Sequence, residues 1–178
     1  MKFITGSNSP EQNSLVGDIR VSGDKSISHR SIMFGSLADG KTEIKGFLEG
    51  EDALATLAAF RAMGVNIEGP ENGHVIVHGV GMNGLKAPKE ALYLGNSGTS
   101  MRLLAGLLAG QNFSVTLTGD SSLSSRPMGR VADPLRLMGA DIETAEQGRP
   151  PITLNGGASL EGIDYDLPMA SAQVKSCV

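Results

Sequence analysis

Apolar residues fall along this chain in patterns that predict two kinds of helix. Ser31-Ile32-Met33-Phe34-Gly35-Ser36-Leu37-Ala38 and Met101-Arg102-Leu103-Leu104-Ala105-Gly106-Leu107-Leu108-Ala109 are apolar nearly all round, which predicts helices buried at the centre of a fold. Leu54, Leu57 and Ala58, and later Val131, Leu135 and Met138, recur at helical spacing with charges between them. That pattern predicts helices covering a sheet with one face in water. Short strands are expected at 42–47, 74–79, 113–118 and 151–156, each bounded by glycine or proline.

The pattern also repeats. Phe60-Arg61-Ala62-Met63-Gly64-Val65-Asn66-Ile67-Glu68 matches Leu135-Arg136-Leu137-Met138-Gly139-Ala140-Asp141-Ile142-Glu143. Each copy is followed by a turn and a strand, and each is preceded by a basic helix start and another strand. The unit is therefore helix, strand, helix, strand, with a further strand before it, and the units are expected at about 21–84 and 85–158. A third begins at 159, enters its inner helix at Ser171, and reaches Val178 about two turns later. Isolated helices need roughly 12–15 residues even to be marginal, so the expectation is an incomplete third unit at 159–178.

Composition narrows the class. In 178 residues, 40% are hydrophobic and 19% charged, the profile of a globular chain. The longest apolar run is too short to span a bilayer, and residues 1–8 turn polar before an export signal develops, so no membrane and a cytoplasmic location are expected. A net charge of −4 and a pI near 5.3 argue against a nucleic-acid surface held by bulk electrostatics. Any affinity for anions must be local. The single Cys177 excludes a disulfide within the chain and is expected to be buried and structural, while His29, His74 and His78 show no metal-ligand spacing. His29 reads as a packing or hydrogen-bonding residue, and His74 and His78 as surface residues on one strand face.

The candidate chemistry sits at three helix starts. Gly23-Asp24-Lys25-Ser26-Ile27-Ser28-His29-Arg30 places a lysine, hydroxyls and an arginine where unpaired N–H groups and the helix dipole favour an anion. Gly95-Asn96-Ser97-Gly98-Thr99-Ser100-Met101-Arg102 is a second such start, and Met169-Ala170-Ser171-Ala172-Gln173 a third. Together they predict one convergent, phosphate-rich site. The first is not a P-loop, because Asp24 separates Gly23 from Lys25, and Gly95 to Gly98 does not fit a dinucleotide fingerprint. Arg102 and Arg126 are open to two readings, an anion site or a carboxylate partner inside the fold.

Four segments in order, Gly23 to Arg30, Leu94 to Arg102, Ser125-Arg126-Pro127-Met128-Gly129-Arg130-Val131 and Pro168-Met169-Ala170-Ser171-Ala172-Gln173, resemble the 5-enolpyruvylshikimate-3-phosphate synthase family. The resemblance covers nearly the whole chain but only the N-terminal part of family members. It implies an α/β (α+β) fold, the enolpyruvyl transferase inside-out α/β barrel, built from repeated βαβαββ units with buried inner helices. Residues 21–178 would be an incomplete N-terminal domain, and 1–20 would lead in from a second, C-terminal domain.

The reaction implied is transfer of the enolpyruvyl group of phosphoenolpyruvate to the 5-hydroxyl of shikimate 3-phosphate, releasing phosphate, on the route to chorismate and aromatic amino acids. No metal and no organic cofactor is implied. Carried over by position, Lys25 is catalytic and touches both substrates. Ser26, Arg30, Ser171, Ala172 and Gln173 would hold shikimate 3-phosphate, and Asn96, Gly98, Thr99, Arg126 and Gln173 phosphoenolpyruvate. Some members have a second serine at the position of Ala172, so only a backbone contact is expected there. Gly98 leaves room beside phosphoenolpyruvate, as in members inhibited by glyphosate. The acid and base carboxylates would come from the second domain, so this chain alone is expected to be inactive. Two alternatives are a UDP-N-acetylglucosamine enolpyruvyl transferase, a family that uses a loop cysteine in its first domain, and a non-catalytic anion-binding module.

Overall fold

The computed structural model describes residues 18–178. The first repeat comprises α1 (Lys25–Leu37), β1 (Asp39–Lys45), α2 (Glu51–Ala62), β2 (Asn66–Glu71) and β3 (His74–Val80). The second comprises β4 (Leu92–Tyr93), α3 (Gly98–Ala109), β5 (Val115–Thr118), a single turn α4 (Ser121–Ser124), α5 (Gly129–Leu137), β6 (Asp141–Ala145) and β7 (Arg149–Asn155). A short α6 (Ala172–Cys177) follows.

Each repeat builds its own sheet in the same order. In the first, β3 lies antiparallel between β1 and β2; in the second, β7 lies antiparallel between β5 and β6, with β4 added parallel to β5. The matching extends to single bonds. Arg61 Nε donates to the Ile67 carbonyl at 3.2 Å, and Arg136 Nε to the Ile142 carbonyl at 3.1 Å. Both outer helices then break at a glycine in the left-handed region, Gly64 (φ +88°) and Gly139 (φ +96°), which a residue with a Cβ adopts only under strain. The preceding carbonyls, of Met63 and Met138, accept from Lys86 N–H at 2.9 Å and Glu161 N–H at 2.8 Å. A duplicated sequence has folded into a duplicated backbone.

One core runs through both repeats. Phe60, Met63, Val75 and Val77 are fully buried in the first, and Leu104, Leu108, Leu117, Leu135 and Ile152 at most 1% exposed in the second. Burying side chains of this size contributes roughly 1.5–3 kcal/mol each.

Three expectations need correction. The first inner helix is not buried all round, since Ile27 and Phe34 are 62% and 67% exposed. α3 has α2, α5 and α6 packed around it, whereas α1 rests on α2 and its own sheet and leaves the Ile27–Arg30–Phe34 face open. On α2 the buried stripe is Ala53, Thr56, Leu57 and Phe60, with Ala58 in water, so the apolar face is turned from the one the hydrophobic residues alone suggest. No strand precedes α1 among the described residues; Ile19 and Val21 are exposed, and the sheet of the first repeat has three strands where the second has four.

Candidate functional site

The inner helices begin with side-chain caps. Asp24 accepts from Ile27 N–H at 2.7 Å, Ser97 from Ser100 N–H at 3.2 Å, and Ser171 from Val174 N–H at 3.3 Å. Each cap pairs one of the free N–H groups of a first turn and fixes the direction in which the others point.

Around the start of α3 the chain gathers guanidinium groups. Gly98 is buried, and a Cβ there would stand 2.8 Å from Arg102 Nη1 and 3.1 Å from Arg126 Nη1, so glycine is what lets both arginines reach the helix start. Arg102 Nη1 donates to the Gly98 carbonyl at 3.2 Å and to Gln173 Oε1 at 2.8 Å, and Gln173 Nε2 donates to Thr99 Oγ1 at 2.9 Å. This ring ties α6 to α3. Arg126 Nη2 donates to Ser122 Oγ at 3.2 Å. Burial, reinforced by the charges of Arg126 and Arg130, pulls the Arg102 pKa below its ordinary value.

Among the described residues no carboxylate forms an ion pair with Arg102, Arg126 or Arg130. The reading in which Arg102 meets an internal carboxylate is therefore corrected: its partners are the neutral Gln173 amide and the Gly98 carbonyl. Like charges a few ångströms apart repel by about 1 kcal/mol per pair in water and more beside a protein. A small dianion would reverse that sign.

Lys25 opens α1 and forms an ion pair with Asp52 in the first turn of α2. Directly beneath, His29 Nδ1 lies 2.7 Å from Thr56 Oγ1, Thr56 Oγ1 2.7 Å from Ser100 Oγ, and Ser100 Oγ 2.6 Å from Ser97 Oγ. Ser100 Oγ also donates to the Asp52 carbonyl at 3.3 Å. His29, Thr56, Ser97 and Ser100 are all fully buried. Burial above all, with Lys25 and Arg30 adding to it and Asp52 opposing, lowers the His29 pKa from its usual 6.5.

Hydrogen bonds thus join Gly98 and Gln173 through Arg102, and Thr99 through Gln173, while Arg126 stands beside Gly98 and Lys25 reaches the group through Asp52 and Ser100. Ser171 takes part as the cap of α6. Ser26, Asn96 and Ala172 are exposed and make no side-chain hydrogen bond among the described residues. Arg30 faces a groove shared by α1, α3 and α6, beside Phe34, Leu103 and Cys177.

Asp52, Thr56 and Ser100 were missed by sequence reasoning. The available signal was spacing: Lys25 and His29 on one helix, and Asp52 and Thr56 on the next, are both four apart. Cys177 is buried, and burial pushes its thiol up to about 12. His74 and His78 are half-exposed and meet Glu43 at 2.9 Å and Glu68 at 2.5 Å on neighbouring strands. No group of three or more His, Cys, Asp or Glu among the described residues is placed to hold a metal.

Comparison with known proteins gives this geometry a family. The 3-phosphoshikimate 1-carboxyvinyltransferase of Methylococcus capsulatus is 67% identical over 164 residues, covering 92% of this chain and 38% of that enzyme. The one from Nitrosococcus oceani is 67% identical over 162 residues, covering 91% and 36%. A solved structure of EPSP synthase from Acinetobacter baumannii superposes with a TM-score of 0.89 at 68% identity, covering 90% of this chain and 36% of that one. The chain thus spans well under half the length of these relatives. Residues 10–178 match the family described as EPSP synthase (3-phosphoshikimate 1-carboxyvinyltransferase), and the chain belongs to that family.

Proposed function

We propose that this chain supplies the N-terminal substrate-binding part of a 3-phosphoshikimate 1-carboxyvinyltransferase, which moves the enolpyruvyl group of phosphoenolpyruvate to the 5-hydroxyl of shikimate 3-phosphate and releases phosphate. The observation that carries the reading is the pair of guanidinium groups, of Arg102 and Arg126, that meets at Gly98 without a carboxylate partner among the described residues, next to the buried network that leads to Lys25. Phosphoenolpyruvate bears a carboxylate and a phosphate, and charge-assisted hydrogen bonds to such groups are worth roughly 1.5–3 kcal/mol each.

In this reading Arg126, Gly98 and Thr99 hold phosphoenolpyruvate, with Asn96 shaping the pocket and Gln173 between the two substrates. Lys25 leaves Asp52 to bridge the two anions. Ser26, Arg30, Ser171 and the backbone at Ala172 hold shikimate 3-phosphate. Chemistry then requires protonation of the enolpyruvyl methylene, attack by the 5-hydroxyl and loss of phosphate. Positioned acid and base groups contribute about 10²–10⁴-fold each, and we assign them to the part of the enzyme outside this chain. A cytoplasmic location is part of the proposal; no helix among the described residues is long and apolar enough to cross a membrane.

The UDP-N-acetylglucosamine reading fares worse, because it asks for a reactive loop cysteine. Cys177 lies in a helix, buried, with its thiol raised to about 12.

Calorimetric titration of the chain tests the proposal. Shikimate 3-phosphate binding, strengthened by phosphoenolpyruvate and absent with UDP-N-acetylglucosamine, is expected. Preference for the nucleotide sugar, or no response to any of the three, defeats it. Gly98→Ala, which drives a methyl group against Arg102 and Arg126, is expected to weaken phosphoenolpyruvate and glyphosate more than shikimate 3-phosphate. Measurable phosphate release by the purified chain alone would overturn the assignment of the acid and base groups.

A further inference from the structure

Only one arrangement of protons lets the buried hydroxyls between α1, α2 and α3 make all their contacts as hydrogen bonds. Four contacts join the group: His29 Nδ1 to Thr56 Oγ1, Thr56 Oγ1 to Ser100 Oγ, Ser97 Oγ to Ser100 Oγ, and Ser100 Oγ to the Asp52 carbonyl. Four protons are available, one on each hydroxyl and one on the imidazole ring. The carbonyl only accepts, so the Ser100 proton goes to it. Thr56 and Ser97 must then both donate to Ser100. Thr56 has no second proton, so the ring must donate to it from Nδ1. That leaves His29 Nε2 as a bare lone pair, and among the described residues Nε2 is buried without a partner.

Position gives this chain of bonds its consequence. His29 lies one turn below Lys25 on α1, Thr56 one turn below Asp52 on α2, and Ser97 directly precedes Gly98. The bonds therefore run from beneath the Lys25–Asp52 ion pair to the edge of the arginine cluster. Packing does not demand a hydroxyl at Thr56, since the matching residue of the second repeat is the fully buried Val131.

We propose that His29, Thr56 and Ser97 form a hydrogen-bond relay that converges on Ser100 and passes through it to the Asp52 carbonyl, with His29 held as the neutral Nδ1–H tautomer, and that this relay positions Lys25 against the Gly98 pocket. These are positioning residues and touch no substrate. The relay rests on the substrate reading above only for the ligand used to measure its effect.

The test is long-range ¹H–¹⁵N NMR of the histidine rings of the chain, combined with NMR titration by shikimate 3-phosphate. A protonated Nδ1 and bare Nε2 are expected for His29; an Nε2–H tautomer overturns the relay. Thr56→Val keeps shape but removes the hydroxyl. It should abolish the single tautomer and weaken shikimate 3-phosphate by about tenfold, the factor supplied by ~1.4 kcal/mol. Thr56→Ser should restore both.

Unchanged affinity in Thr56→Val, even with a lower melting temperature, overturns the positioning role. Should that variant not fold, loss of the tautomer in Thr56→Ser overturns it. A wild-type chain that shows the tautomer yet binds no shikimate 3-phosphate defeats the substrate reading instead, and the same variants are then decided by titration with inorganic phosphate.

Discussion

In the first repeat the fifth residue after the inner-helix cap is His29, fully buried and held by Thr56; in the second it is Arg102, half-buried and held by Gln173. The neighbouring outer helix differs in step, with buried Thr56 in one repeat and buried Val131 in the other. One backbone plan has therefore been given a neutral, inward-facing polar core on one side and a charged, outward-facing ring on the other. The contrast shows where duplicated architecture stops dictating chemistry. Bonds made by backbone and arginine stems are copied, and bonds made across to the next helix are not.

Gly106→Val attacks that contrast most strongly. α6 rests mainly on α3, and any Cβ at Gly106 would collide with the Cys177 carbonyl. Overpacking there should cost about 3 kcal/mol. Phe34→Ser on the open face of α1 should shift stability within about 0.5 kcal/mol. Equal effects in a denaturant series would show that the two inner helices are not as differently packed as described.

Val131→Thr, which copies the first repeat into the second, comes next. Lacking counterparts to His29 and Ser100, the new hydroxyl should cost about 2 kcal/mol. A neutral outcome in the midpoint of urea unfolding would mean that the polar core of the first repeat is interchangeable.

Acidification should separate the repeats, because all three histidines belong to the first. Burial holds the His29 pKa below 6.5, so the unfolded chain takes up a proton that the folded chain refuses. Its contribution is complete above 6.5 and is lost as pH falls below that value. Hydrogen bonds from His74 and His78, with Lys45 also beside Glu43, lower the pKa values of Glu43 and Glu68 from 4.5, and their exposed contributions fade only below it. Hydrogen exchange should therefore show α1 and α2 losing protection before α3 and α5 as pH drops from 7 to about 5. Simultaneous loss would contradict this.

The smallest effect tests the copied bonds. Arg61 donates to the Ile67 carbonyl through Nε and Nη2 and to Gly69 at 2.5 Å, whereas Arg136 makes a single bond to Ile142 and spends its other donors on Asp133 and Thr144. Arg61→Ala should exceed Arg136→Ala by under about 1 kcal/mol. The reverse order in thermal melts would argue against equivalent roles.

How far the sequence could be read follows the same divide. Helix starts were legible because Asp24, Ser97 and Ser171 are local signals that act within three residues. The repeat was legible because Arg61, Met63 and Gly64 recur as Arg136, Met138 and Gly139. The partners of Lys25 and Arg102 were not, since both depend on which helix lies alongside. The open face of α1 was hidden for the same reason: Ile27 and Phe34 look like core until the neighbours of that helix are known. Thr56 escaped because a threonine at a core position carries no periodic signal of its own.

The bare backbone of Gly106 beneath Cys177 gives the molecule a chemical clock. With its one sulfhydryl shut against a neighbouring helix, alkylation by a maleimide must wait for that short segment to lift away. The speed of labelling would then report how often the third helix start leaves its seat, and a bound anion bridging it to the arginines should slow the count.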